Sequence, residues 1–296
     1  MVCNLCKKKF CGKYWCIDSH NYCSLCYKSV KFKCCVCSNE LEHIEFVKDG
    51  KNYCYYCYRQ ELKCDICCDM IIKDYYEDFG NIICTNCYNN NAKCAVCDRV
   101  ISHISNGGYE YSDGRKVCGI CYASVVEEKY LQVYYDEVSS FMKSIGFKIK
   151  NYTTLDIELV TKKEIDTSGQ CSCTKEILDE KVIEINFIIR IYYGLPKIMF
   201  CGILAHELFH VWVKINTEDN LTKFKEEGVA NLCKYLYLSS LLKKTKDKED
   251  IKFIKFIMKN LIENTDKDYG EGLRKVKKVY DKYKMNGVFL YINDDI

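Results

Sequence analysis

Apolar residues recur at helical spacing from Val126 onward. Val126, Tyr130, Val133, Tyr134, Val138, Phe141 and Ile145 share a face and Gly146 offers a stop, so the pattern predicts a helix over 123–145. Two runs rich in β-branched residues, 153–160 and 182–191, predict strands. Gly194-Leu195-Pro196 then breaks the chain, and a proline near a first helical position opens a helix through the most apolar stretch, 198–213. His206, Glu207 and His210 interrupt that stretch, which is expected to be too short and too polar to span a bilayer. A further helix is expected over 225–242, and two more in the tail 249–296, interrupted near 268–272.

Ahead of residue 122 this patterning stops and cysteine takes over. Of the 24 cysteines in 296 residues, twenty precede residue 122. The start, Met1-Val2-Cys3-Asn4-Leu5-Cys6, lacks the apolar core of a secretory signal, so the chain is expected in the cytoplasm with reduced thiols. Closely paired cysteines then argue for metal rather than disulfides. Composition divides the chain into 1–122 and 123–296.

The cysteines repeat. Cys3/Cys6 precede Cys23/Cys26 by sixteen residues, and the gap recurs between Cys34/Cys37 and Cys54/Cys57 and between Cys64/Cys67 and Cys84/Cys87. Cys94/Cys97 and Cys118/Cys121 stand twenty apart. A unit of about thirty residues is too small to fold on its own core, so a metal must supply the folding energy. Asp49-Gly50, Gly80-Asn81 and Asp113-Gly114 are hairpin dipeptides, each before a second pair. The unit therefore reads as a cysteine knuckle, strand, turn, strand and second knuckle around a structural Zn²⁺ held by four thiolates. Sequential pairing is the choice made; pairing across the short gap, or interleaved, is the alternative. His20 could replace a ligand in the first unit, where Cys11 and Cys16 are extra, and Cys35 and Cys68 read as spare thiols.

His206 and His210, four apart on one helix, share a face and can bind one Zn²⁺, with Glu207 placed to take a proton from the attacking water. A catalytic zinc needs a third protein ligand and an open position. Glu226-Glu227-Gly228 begins sixteen residues after His210. Glu227 is the preferred ligand, with Glu226 about a third of a turn away as the fallback. Asn231, one turn further, could fix a histidine tautomer. Tyr269 is the candidate oxyanion donor, with Tyr235 and Tyr237 as alternatives. Strand 182–191 could offer an edge to an extended substrate. Cys171 and Cys173 read as ordinary thiols, with contact to the metal or the cleft as the alternative; Cys201 and Cys233 read as helix-packing residues.

The segments Ile203-Leu204-Ala205-His206-Glu207-Leu208-Phe209-His210-Val211-Trp212 and Glu226-Glu227-Gly228 resemble the plant organ-size LIM peptidases, the DA-one family. The likeness extends to Asp113-Gly114-Arg115-Lys116-Val117-Cys118, to Tyr193-Gly194-Leu195-Pro196-Lys197 and to Tyr269-Gly270-x-Gly272-x-Arg274. It implies LIM-type zinc fingers and a gluzincin-like metallopeptidase domain. By the same resemblance His206, His210 and Glu227 hold the catalytic zinc, Glu207 is the catalytic glutamate, and the substrates are proteins of the ubiquitin pathway and growth control. The cysteine array is longer than the family's, and ubiquitin-interacting helices ahead of it are not expected in a sequence that starts on Cys3.

The fold expected is α+β: four tandem LIM-like β-hairpin zinc fingers, then a mainly helical gluzincin-like metallopeptidase domain with a small sheet. The function expected is that of a zinc endopeptidase with about four structural zinc ions and one catalytic. The rivals are a non-catalytic zinc-finger adaptor and a cross-braced ubiquitin ligase, which the sequential repeat disfavours. A net charge of +3 and the lack of a basic reading helix in the fingers argue against nucleic acid. No membrane partner is expected.

Overall fold

In the computed structural model of the protein, each cysteine quartet closes a small two-stranded hairpin. The structure describes residues 1–12, 14–17, 20–29, 32–41, 46–48, 50–60, 62–71, 74–150, 152–179, 181–217 and 221–293, with backbone alone at 14–17, 20, 28–29, 48, 59–60 and 181. The chain is mixed α/β and divides into two compact units between Asn91 and Ala92. The boundary at 122/123 marks where the cysteine repeats end; the fourth finger packs with the helices that follow it.

In the first unit, hairpins pair Tyr14–Ile17 with His20–Cys23, Phe46–Lys48 with Lys51–Tyr53, and Tyr75–Asp78 with Asn81–Cys84. Each leads into one short helix, Ser24–Ser29, Tyr55–Gln60 or Thr85–Asn90. Just after each first cysteine pair the chain turns through a left-handed residue: Lys7 and Ser38 at φ 60°, and Cys68 at φ 62°. Asp98, at φ 61°, repeats the device in the fourth finger. The apolar cores are small. In the second finger Tyr53 is buried with Cys34 and Cys57, while Phe46 stacks on Tyr58 at 4.5 Å.

The third turn falls one residue earlier than Gly80-Asn81. Phe79 and Gly80 both have positive φ, at 52° and 89°, and Asn81 already pairs with Asp78. A two-residue hairpin loop of this type needs positive φ at both central positions, and Gly80 takes the second. Gly50 and Gly114 sit in turns at φ 72° and 87°. Asp49 lies outside the described residues, as do the side chains of His20 and Cys16.

The second unit starts with the fourth finger, whose strands Gly108–Glu110 and Lys116–Cys118 lead into the short helix Gly119–Tyr122. Then come α1 (Leu131–Ser144), β1 (Thr154–Val160), β2 (Gly169–Leu178) and β3 (Lys181–Tyr192). The rest is helical: α2 (Lys197–Asn216), α3 (Lys223–Lys244), α4 (Lys248–Glu263), a π-helical turn (Lys267–Glu271) and α5 (Gly272–Ile292), broken at Lys284. Val126 falls outside α1 because its amide donates to the Leu195 carbonyl at 3.0 Å. α2 is long and apolar enough to cross a membrane by length and composition, a correction to the expectation; 61% of its most apolar window is buried inside the protein. Phe147, on the link after α1, packs edge-on against Phe209 and Trp212 of α2 at 5.1 and 5.0 Å.

The sheet order is β1-β3-β2, with β1 parallel and β2 antiparallel to β3. β3, the strand expected to offer an edge, is therefore central, with both sides paired. The open edge beside α2 belongs to β2, which the sequence pattern did not announce.

The fourth finger is tied to the start of α2 through Arg115. Its side chain, 8% exposed, pairs with Asp113 at 2.8 Å and donates to the Tyr193 carbonyl at 2.8 Å. The rings of Tyr111, Tyr192 and Tyr193 lie 4.9–5.3 Å from the guanidinium. Gly194, at φ 74°, leaves room for the Tyr111 ring, whose hydroxyl donates to the Gly194 carbonyl at 3.3 Å. Burial pushes the Asp113 carboxyl up, but the amides of Arg115 and Lys162 and the Arg115 guanidinium outweigh that and hold it below its usual range. A depressed folded value means that this contribution is complete above the unfolded value of about 3.9 and is lost as pH falls through the folded one. Asp113→Asn should cost about 3 kcal/mol at pH 7, because Arg115 is left buried without its counter-charge. The gap to wild type should narrow as pH falls below about 4. Urea unfolding, followed by Trp212 fluorescence in a Trp15→Phe background, measures both.

Candidate metal centre

The four-cysteine groups come together as sequential sets: Cys3/Cys6/Cys23/Cys26, Cys34/Cys37/Cys54/Cys57, Cys64/Cys67/Cys84/Cys87 and Cys94/Cys97/Cys118/Cys121, the sulfurs of each within 4.8 Å of one another. Sulfurs across each hairpin stand 3.7–4.0 Å apart. A tetrahedron with Zn–S bonds of about 2.3 Å has edges of about 3.8 Å, so the spacing fits a shared zinc. Backbone amides donate to these sulfurs, from Cys23 to Cys3 Sγ at 3.4 Å and from Cys84 to Cys64 Sγ at 3.3 Å. That helps hold the charge of a thiolate. By their chemistry the clusters suit structural zinc. Cys11, Cys35 and Cys68 are exposed and outside these groups.

The second kind of site is built on α2 and α3. α2 presents His206 and His210 on one face, and α3 brings Glu227 to them. The two imidazole Nε2 atoms are 3.1 Å apart, and Glu227 Oε2 lies 3.2 Å from that of His206 and 3.7 Å from that of His210. Bonds of about 2.0–2.1 Å to one tetrahedral ion would put such donors about 3.3 Å apart. Glu227 Oε2 is buried and has no well-formed hydrogen bond. A buried carboxylate oxygen facing two imidazole nitrogens fits a cation between them. Burial opposes the Glu227 carboxylate, but the two imidazoles beside it draw its carboxyl below the usual range in the metal-free protein.

The far side of each ring is fixed. His206 Nδ1 donates to Asn231 Oδ1 at 3.1 Å, and the Asn231 amide donates in turn to the Tyr269 carbonyl at 3.1 Å. His210 Nδ1 donates to Glu226 Oε1 at 2.7 Å. Both bonds place the proton on Nδ1 and leave the Nε2 lone pairs turned to the metal position. Glu226, the fallback ligand, thus orients a ligand instead. The helical turn from Glu227 to Asn231 sends one side chain to the metal position and the other to a ring.

Glu207 is 5% exposed and lines a cleft of about 600 Å³ together with the triad. Burial pushes its carboxyl up, against the pull of His206 and His210. β2 covers it closely: a Cβ on Gly169 would overlap Ile203 and stand 2.6 Å from Glu207 Oε1. Tyr269 lies beside the triad with its ring parallel to that of His206, centroids 6.4 Å apart. Burial, then the nearby Glu227 charge, pushes its hydroxyl up to about 12, so it is a donor at neutral pH. Of the alternatives, Tyr237 is spent on Glu137, 2.6 Å away in the core, and Tyr235 lies outside the cleft with Lys277 over its ring. Cys171 and Cys173 line the cleft; Cys201 and Cys233 are buried.

A family model described as DA1-like, Protein DA1, matches residues 157–251, which include the triad. Protein DA1 of Arabidopsis thaliana is 22% identical over 262 residues, covering 71% of this chain and 48% of its own length. Protein DA1-related 2 of Arabidopsis thaliana is 42% identical over 52 residues, 18% of this chain and 10% of that protein. LIM domain-containing protein HDR3 of Oryza sativa subsp. japonica is 40% identical over 52 residues, again 18% of this chain and 10% of that protein. Over these residues the chain is similar to the DA1 proteins. It spans less than half the length of the curated relatives it matches.

In this DA1-like chain the motif glycines are packing devices. A Cβ on Gly228 would come 2.6 Å from the Gly272 backbone, so these two glycines let α3 and α5 meet just after Glu227. Arg274 donates to the Ile262 and Asn264 carbonyls at 2.9 and 2.5 Å and so closes the end of α4. The segment Tyr269–Arg274 therefore sets Tyr269 against the triad. Mass spectrometry of the purified chain should find five zinc ions, matching four cysteine sets and one triad. Glu227→Gln should hold four. Asn231→Ala and Glu226→Ala should keep the fifth but bind it about 10–100-fold more weakly in competition with a chelator.

Proposed function

We propose that the chain is a zinc-dependent endopeptidase of gluzincin type, acting on protein substrates, whose LIM-like fingers bind substrate or a regulator. The observation that carries this reading is the open triad: three donors on one side, and Glu207 lining the same cleft. The cysteine sets are closed shells of four ligands; a set of three leaves a position for chemistry. The ubiquitin pathway as a source of substrates and partners, and a cytoplasmic location, belong to the same proposal and rest on the family resemblance and the reduced cysteine array.

His206, His210 and Glu227 would hold the ion. Zinc supplies Lewis acidity, which makes a water nucleophilic near neutral pH and polarises a peptide carbonyl. Glu207, buried beside the triad, takes the proton of the attacking water and returns it to the leaving amine. Asn231 and Glu226 keep the two rings in register through that exchange. Tyr269, protonated at neutral pH, donates to the oxygen that gains charge. The outer edge of β2, unpaired among the described residues, runs along the cleft and offers backbone N–H and C=O groups to an extended peptide. Gly169 leaves space for that strand to lie against Glu207.

Glu207→Gln should retain all five zinc ions and lose cleavage by about 10²–10⁴-fold. Mass spectrometry of a denatured-protein digest, beside a zinc assay of the same sample, reads both. Proteolysis at the wild-type rate in this variant would sink the assignment. Tyr269→Phe should lower kcat by about 10²-fold or more with zinc content unchanged.

A further inference from the structure

Lys234, a charged side chain of the cleft, has no part in holding the triad. α3 presents Glu227, Asn231 and Lys234 at successive turns of one face. Glu227 faces the metal position and Asn231 a histidine ring, while Lys234 faces open space. It lines the metal cleft and also a second cavity of about 480 Å³, walled by Lys93 and Val96 of the fourth finger and Phe256 and Asn260 of α4. Leu261 and Asn264 border both spaces, so Lys234 stands where the two meet. Its stem lies across α2 at Gly202, where an added Cβ would be 3.6 Å from Lys234 Cγ and 3.7 Å from Cε.

The Lys234 ammonium has no hydrogen bond or ion pair among the described residues. The acids around it have other tasks: Glu226 holds His210 and Glu227 completes the triad. Burial pulls the ammonium down to about 8, and only the charge of Glu207 pulls the other way. A cation set on a packed stem, between two cavities and without its own anion, is costly unless a ligand supplies one. A compact ammonium takes one carboxylate well.

We propose that Lys234 forms a carboxylate-binding subsite, which takes an acidic side chain of the peptide next to the bond held at the triad. This rests on the peptidase reading. The second cavity continues past Lys234 towards the fourth finger, which gives the chain somewhere to run. The ligand is thus an internal aspartate or glutamate, not a chain end. The fourth finger becomes one wall of the substrate groove.

The test uses the zinc-loaded chain carrying Glu207→Gln, so that binding is read without turnover. The probes are fluorescein-labelled, C-terminally amidated Ala/Ser peptides, each with one glutamate at a different position, and their glutamine twins. Fluorescence anisotropy should find one position where glutamate binds about tenfold tighter than glutamine. Adding Lys234→Met, which keeps the stem and drops the charge, should erase that difference with zinc content unchanged and Tm no lower. Lys234→Glu should instead favour a lysine peptide at that position. No glutamate preference at any position, a preference that survives Lys234→Met, or one that needs a free C-terminal carboxylate overturns the subsite. Wild-type protein that shows the preference but cleaves no peptide of a proteome-derived library overturns the peptidase reading and leaves the subsite standing.

Discussion

Lone pairs crowded together repel unless a cation lies among them, and this chain crowds them in five places among its described residues. In the fingers the crowding is what makes folding possible. A hairpin and one turn of helix bury too little apolar surface to offset chain entropy, so the bond between thiolate and metal is the folding energy. In the second unit the order is reversed. α2 and α3 are held by an apolar core of their own, and that core forces two imidazoles and a carboxylate against one another. Metal there does not build the fold; the fold builds a place for the metal. The distinction between closed and open sites thus follows from where each gets its stability.

The fourth finger belongs to both arrangements. It is closed by thiolates like the other three, yet Arg115 fastens it to the loop from which α2 departs. A buried guanidinium with a carboxylate, a carbonyl and three rings around it has few alternative positions. The segments Asp113–Cys118 and Tyr193–Lys197, far apart in sequence, are two halves of this one contact. Their resemblance to the DA1 family therefore has a mechanical meaning: a finger fixed at the start of the helix that carries His206 and His210.

What was legible in the sequence was whatever obeys a short period. The cysteine spacing announced the sequential sets, and the i, i+4 histidines announced a face of α2. Glu227 and Asn231 followed because helical spacing also governs them. β2 escaped because its residues toward the cleft are Gly169, Cys171 and Cys173, without the β-branched or aromatic types that mark a strand. Its absence from the reading moved the substrate edge to β3, which the true order places in the middle of the sheet. Glu226 was read as a spare ligand because its partner, the far nitrogen of His210, depends on how α2 and α3 cross. Tyr237 stood as an alternative to Tyr269 until packing gave its hydroxyl to Glu137.

The placement of α3 sets most of the proposed site, and it has a local cause. Gly228 and Gly272 remove two side chains where α3 meets α5, so the helices approach on backbone alone. Bulk at either position would push α3 outward and lift Glu227, Asn231 and Lys234 together, because all three sit on the same face. A single displacement would therefore alter the third ligand, the tautomer of His206 and the cation at the cleft junction at once. The residues of the proposed site can be few because residues with no side chain hold them in register.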